Sequence, residues 1–324
     1  MSKLLSVGKN IVLVDGVRTP FAQSSTIYKD LIAYQLQRLA FLSLIKRTGI
    51  PKDSIDHIIS GTVIQENKTS NLAHEAAATA GLPKNIPCAT VTLACISSNY
   101  AITSGMSLIG QGVYDTVVCG GVETMSDVPI RISRAARQLA LKMNKARGFG
   151  QIAKYLTEIR SKHLSLDLPA VAEFTSGETM GHSADRLTQA FNVSRREQDE
   201  YALRSHTMAA KATKEKLLSD VDTVFVYKKG AVSEDNGIRP TSMDKMGSLR
   251  PAFIKDYGTV TAANSSFLSD GASACLIMSE EKAKQMGYKP KAYLRDFVYV
   301  KTDAKDECLL AQHTLFQDCS TSTS

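Results

Sequence analysis

Apolar positions along the first third of the chain alternate between two periods. Ile11 to Val14 is a continuous apolar run of strand length, followed by a turn at Asp15-Gly16 and Thr19-Pro20. From Leu31 to Lys46 apolar residues stand at 31, 32, 36, 39, 42, 44 and 45, the spacing of a helix, and Gly49 supplies its stop. His57 to Val63 predicts a strand, Asn71 to Ala80 an alanine-rich helix ending at Gly81, and Cys88 to Ala94 another strand. Tyr114 to Cys119 is a further strand, closed by Gly120-Gly121. Strands alternating with helices predict an α/β fold with a largely parallel sheet covered on both faces.

Ser97 to Gly110 carries no charged residue, and a helix without a charged face is normally buried on every side. Ser97, Ser98 and Asn99 are good N-caps for it, and Gly110 or Gly112 a good stop. Cys95 then stands on the turn from a buried strand into a helix N-terminus. The positive end of the helix favours a thiolate there, which makes Cys95 a candidate nucleophile. The plainer alternative is a buried structural cysteine, the reading that also suits Cys88 and Cys119 within their strands.

The texture changes at Asp127. Between Arg131 and Lys162 nine Arg or Lys residues accompany one acid, Glu158, with Ile132, Leu139, Leu141 and Met143 interleaved. Such a stretch suits a solvated face, an anionic membrane surface or docking element, or part of an anion site. Ser194 and Glu197 form a capping box for a helix reaching about Leu217, and strand texture returns at Thr259 to Ala262 and Ala272 to Met278. We therefore expect an α/β core of 11–126 plus 259–287, with 127–258 as an inserted loop domain.

Composition narrows the classes. At 43% hydrophobic and 22% charged residues the chain is globular, and no apolar run approaches the roughly 18 residues of a membrane span. A net charge of +7 suits an anionic ligand but is too weak to argue for nucleic acid. The six cysteines show no metal-ligand spacing and imply a reducing compartment, and no transit peptide is visible before Ile11. His182 is a candidate base for Cys95, or simply a helix-entry residue.

These residues also carry a resemblance. Val14-Asp-Gly-Val-Arg-Thr-Pro20, Gly61-Thr-Val-Ile-Gln65, Asn71 and Ala80-Gly-Leu-Pro83 resemble successive blocks of the thiolase family. Thr90 to Asn99 resembles its nucleophile segment, and Gly120-Gly-Val-Glu-Thr-Met-Ser126 the motif that follows. Glu178-Thr-Met-Gly181, Leu249-Arg-Pro-Ala-Phe253 and Gly258 to Ala272 continue the match, which runs from about residue 11 to 300. Ala94-Cys-Ile-Ser-Ser98 and Ser126-Asp-Val-Pro-Ile130 resemble the wording of mitochondrial thiolases that work beside a hydratase/dehydrogenase α-subunit.

The resemblance implies the layered αβαβα thiolase fold and a 3-ketoacyl-CoA thiolase of fatty-acid β-oxidation. Cys95 would be the acyl-thioester nucleophile, Arg239 and Ser266 would contact coenzyme A, and Met180 would line the acyl pocket. Coenzyme A enters as substrate, with no permanently bound cofactor or metal. Partners implied are acyl-CoA, a second copy of the chain, the α-subunit, and an anionic membrane surface through 131–162, in the mitochondrion. The family's second-half blocks do not appear. Residues 288–324 read as the start of a C-terminal domain with an atypical tail, in which Cys308, His313 and Cys319 match nothing. On this reading the helix 97–110 loses cover over Ile102, Met106 and Ile109. The alternative function is a non-catalytic CoA-binding or assembly subunit.

Overall fold

The computed structural model describes residues 8–303, 305, 309 and 310, so the tail with Cys308, His313 and Cys319 lies outside the described residues. Two compact units are present, 128–171 and the remainder of the chain. The larger unit therefore includes 172–258, much of the segment expected to be inserted.

The larger unit begins β1 (Ile11–Arg18), β2 (Ala22–Gln23), α1 (Ala33–Thr48), β3 (His57–Gly61), α2 (Leu72–Thr79), β4 (Cys88–Val91), α3 (Ser97–Gly110) and β5 (Thr116–Glu123). The smaller unit holds β6 (Arg131–Ile132), α4 (Arg134–Asn144), α5 (Phe149–Thr157) and β7 (Leu166–Asp167). After it come α6 (Met180–Ala190), α7 (Arg195–Lys214), β8 (Val224–Val226), β9 (Gly230–Val232), α8 (Met243–Gly247), β10 (Ser269–Ser279), α9 (Glu280–Gln285) and β11 (Ala292–Leu294).

One seven-stranded sheet runs β11-β1-β10-β5-β3-β4, with β2 paired to β10. It is mixed rather than largely parallel. Only β3 pairs parallel with β4 and β5, whereas β10 runs antiparallel to β1, β2 and β5, and β11 antiparallel to β1. The long excursion before β10 removes the short helical crossover that would have enforced parallel pairing. Predicted boundaries also move: β1 continues through Asp15-Gly16 with a register shift rather than turning.

Strand side chains alternate between two cores. Ile58, Val118, Leu276 and Met278 face α1 and α2, while Ile59, Val117, Cys119 and Ile277 face α3. The sheet is thus covered on both faces, as apolar strands without a polar side require. Helix α3 is not buried all round. Ser97, Ala101, Gly105, Met106 and Ile109 are buried, and the remainder is half-buried or exposed. Met106 and Ile109 are therefore covered by the sheet, contrary to the expected loss of cover, and Ile102 is half-buried. Ser, Thr and Asn on the outer face tolerate solvent without charge. Beside them Tyr299 donates or accepts a hydrogen bond with Thr103 and packs its ring near Tyr100.

Thr259 to Ala262 is not a strand. The Thr259 and Val260 N–H groups donate to the buried Asp185 carboxylate, at 2.7 and 2.9 Å, instead of to a neighbouring strand. Helix α7 starts as expected, with the Ser194–Glu197 capping box in place.

Two glycines bring α3 to the ends of the parallel strands. A Cβ on Gly61 would fall within the Ser97 backbone, and one on Gly121 would overlap the Ser98 hydroxyl. Gly121→Ala should therefore lower stability by about 1–3 kcal/mol in urea titrations, with partial recovery when Ser98→Ala is added. An alanine variant as stable as the original would show that this contact does not hold the helix.

Candidate active site

Cys95 lies on the turn from β4 into α3, and its side chain is exposed. The turn is tight, because Ala94 adopts the left-handed conformation at φ 46, which costs an L-residue on the order of 1 kcal/mol. Ser97 stabilises it: its Oγ accepts from the Leu93 N–H at 2.8 Å and donates to the Ala94 carbonyl at 2.6 Å. The serine expected to cap the helix thus closes the turn before it. The N-cap position falls to Ile96, and no side chain caps the first turn of α3. An uncapped start presents the positive end of the helix beside Cys95.

A cavity of about 300 Å³ opens at this turn, with Cys95, Phe21, Val63, Ser98, Glu123 and Met125 in its wall. Glu123 ends β5, and its carboxylate accepts from the Val63 N–H at 2.7 Å and the Ile64 N–H at 3.2 Å. Burial pushes this carboxyl up, against the pull of those N–H groups. Asp270, buried on β10, accepts from the Met125 N–H at 2.7 Å and the Ser126 N–H at 3.1 Å. The two carboxylates fix the loops that form the cavity walls.

The other described cysteines differ from Cys95 in burial. Burial pushes the Cys88 thiol up to about 11 and the Cys275 thiol up to about 12. It drives Cys119 well above the usual thiol range. None of these three presents a thiolate near neutrality. Among the described residues no group of three or more His, Cys, Asp or Glu could hold a metal ion.

Arg239 lies elsewhere, in a second cavity of about 280 Å³ whose wall includes His206, Leu249 and Phe267. Its guanidinium stands 5.6 Å from the centre of the Phe267 ring and donates to Gln23 Oε1. Its backbone N–H donates to His206 Nδ1 at 3.1 Å. Ser266 is exposed between two lining residues, Ser265 and Phe267, without itself lining the cavity. Met180, the first residue of α6, is 58% exposed and lines neither cavity.

His182 is not in the wall beside Cys95. Its Nδ1 is 2.6 Å from Thr179 Oγ1 and its ring packs edge-on against Phe253, as a helix-entry residue would. Sequence reading missed Glu123, Asp270 and Phe21. Glu123 carried a signal, an acid closing an otherwise uncharged strand; Phe21 carried only its place after Thr19-Pro20.

Residues 11–281 match the family described as "Thiolase, N-terminal domain". The human "Trifunctional enzyme subunit beta, mitochondrial" is 61% identical over 302 residues, covering 93% of this chain and 64% of that protein. A "Probable 3-ketoacyl-CoA thiolase" of Caenorhabditis elegans is 57% identical over 304 residues, covering 93% of this chain and 68% of that one. This chain thus spans 64% of the length of its mitochondrial relatives. Among solved structures, the Bacillus anthracis acetyl-CoA acetyltransferase superposes with a TM-score of 0.80 at 29% identity, over 96% of this chain and 76% of that one. The family match over residues 11–281, the likeness of fold and sequence identity along almost the whole length converge on one lineage. The chain belongs to the thiolase family.

Proposed function

We propose that this chain belongs to a 3-ketoacyl-CoA thiolase, an acyl-CoA C-acetyltransferase of fatty-acid β-oxidation that works through a thioester on Cys95. The observation that carries this reading is the position of Cys95: exposed, at an uncapped helix start, in the wall of a cavity. The Cys95 thiolate attacks the 3-keto carbon, and the bond between carbons 2 and 3 breaks. Acetyl-CoA leaves as its enolate and takes up a proton, while the shortened acyl chain stays on sulfur. The thiol of coenzyme A then attacks the thioester, and the cysteine regains its free form. Splitting the transfer in two lowers each barrier.

In this reading Arg239 offers its guanidinium to coenzyme A phosphates, Ser266 contacts the same substrate, and Met180 meets the acyl chain. Residues 11–126 and 259–287 form the N-terminal thiolase core, 127–258 its inserted loop domain, and 288–324 the opening of the second thiolase domain. The names of the relatives support a mitochondrial location and assembly with another subunit; in this reading the partners are a hydratase/dehydrogenase α-subunit and a second copy of the chain. The composition of the smaller unit supports contact with an anionic membrane. Helices α4 and α5 carry Lys142 and Lys154, and Lys145 caps the end of α4, all exposed, with Leu141, Leu156 and an 86% exposed Phe149 also exposed on the same helices.

Brief treatment with iodoacetamide at neutral pH should alkylate Cys95 ahead of Cys88, Cys119 and Cys275, read by peptide mapping. Cys88 should join only as the pH approaches about 11, where its buried thiol ionises. A 3-ketoacyl-CoA should leave an acyl group on Cys95, seen as added mass on that peptide and abolished by Cys95→Ser. Labelling of Cys88 or Cys275 before Cys95 would overturn the assignment.

Vesicles containing cardiolipin should bind the protein, and added salt should weaken the binding. Lys142→Glu, Lys145→Glu and Lys154→Glu combined should reduce it at least tenfold, since each basic residue near headgroups contributes roughly 1 kcal/mol. Equal binding by the charge-reversed protein would leave α4 and α5 as an ordinary solvated face.

A further inference from the structure

The segment after β1 places an aromatic residue in the wall of the cavity that Cys95 also lines. Phe21 is 43% exposed, and it lines the same cavity as Cys95, together with Val63, Met125 and Val122. Exposed aromatic side chains in irregular segments ordinarily sample several rotamers. This one is held from three sides. Its ring lies against Gly271 on β10, in the space a Cβ there would fill. The Arg18 guanidinium stands 4.5 Å from its ring centre. Its backbone N–H donates to Asp235 Oδ1 at 2.6 Å.

Asp235 does more than accept that one bond. Its two oxygens take both terminal nitrogens of Arg18, at 2.7 and 2.9 Å, in a fork that fixes the cation under the ring. Arg18 is held further by Asp220, at 2.8 Å from its Nε. The next residue extends the clamp. Asn236 Oδ1 accepts from the Gln23 N–H at 2.6 Å, and the Asn236 N–H donates to the Phe21 carbonyl at 3.1 Å. A strap some two hundred residues away in sequence thus fixes both the backbone and the ring of one cavity residue.

We propose that Phe21, positioned by the Arg18–Asp235 fork, is the residue that selects aliphatic acyl groups longer than acetyl at Cys95. This rests on the thioester reading of Cys95 given above. The chemistry follows from the wall: a rigid ring gives an alkyl chain contact area at little entropic cost, and Val63 and Met125 continue the apolar side. Asp235 is a positioning residue, acting on the chain only through Arg18 and Phe21.

The test uses two thiol reagents of the same reactivity class, methyl and octyl methanethiosulfonate, on the full chain. Rates at Cys95 are read by peptide mapping and divided by the rates of the same reagents with glutathione. The corrected octyl-to-methyl ratio should be well above one in the original protein. Phe21→Ala should lower it about tenfold, while Phe21→Leu should keep most of it. Asp235→Asn should lower the ratio with Phe21 still present, and adding it to Phe21→Ala should bring no further loss.

Iodoacetamide rates at Cys95 and melting temperatures, measured for every variant, separate altered selection from a damaged fold. A ratio unchanged by Phe21→Ala in a folded protein would overturn the proposal. So would a loss in Asp235→Asn that adds fully to that of Phe21→Ala. The thioester reading is judged separately by acyl transfer from an acyl-CoA. Its failure would leave Cys95 without an acyl group, whereas the reagent ratio would still decide whether Phe21 selects chain length.

Discussion

The approach of α3 to the ends of β3 and β5 determines the geometry of everything around Cys95. Gly61 and Gly121 stand at the same level of adjacent parallel strands and are register partners. Both leave room for Ser97 and Ser98, so the helix start can sit directly on the sheet. A side chain at either position would lift that end of α3 and open the turn at Ala94. The thiol would then lose its fixed place relative to the cavity. Packing of Ala101, Gly105 and Ile109 farther along α3 fixes the axis, but only the glycine pair sets the height of the N-terminus.

Carboxylates do the corresponding work where no sheet or helix is available. Glu123 gathers the N–H groups of Val63 and Ile64, Asp270 those of Met125 and Ser126, and Asp185 those of Ile254, Thr259 and Val260. Asp199 joins the pattern by accepting from Asn264 and Arg195. A buried carboxylate can accept several bonds at once, so one residue can satisfy backbone that would otherwise be orphaned. Its desolvation cost is offset only when those donors are fixed, which ties each loop to one conformation. The cavity beside Cys95 is therefore walled by loops of defined shape.

The elements legible in the sequence were those with a strong local period. Helices α1, α2, α3 and α7 and the strands around them follow from apolar spacing, alanine content, the chargeless run 97–110 and the Ser194 cap. The turn that exposes Cys95 was legible too, because an apolar strand leading into a chargeless helix leaves few other paths for the chain. Strand direction was not legible. The pairing of β10 between β1 and β5 depends on contacts across more than a hundred residues, which local spacing does not encode. The Asp185 clamp was hidden for the same reason: the alternation at Thr259 to Ala262 resembles a strand, and only the tertiary partner removes it.

Burial sets one cysteine apart from the other three among the described four. The β5–β10 register sets Cys119 opposite Cys275, where each thiol is surrounded by apolar side chains of the α3 face. Ionisation there would place a charge among apolar side chains, so burial holds both thiols neutral. Cys88 is held neutral in the same way at the sheet edge. Cys95 is separated from Cys88 by only one short strand and a turn, yet the turn carries it out of the apolar layer to the uncapped end of α3. The difference between a buried and an exposed thiol in this fold is thus one of depth along a single chain segment, set by the left-handed Ala94 and the Ser97 hydroxyl that closes the turn behind it.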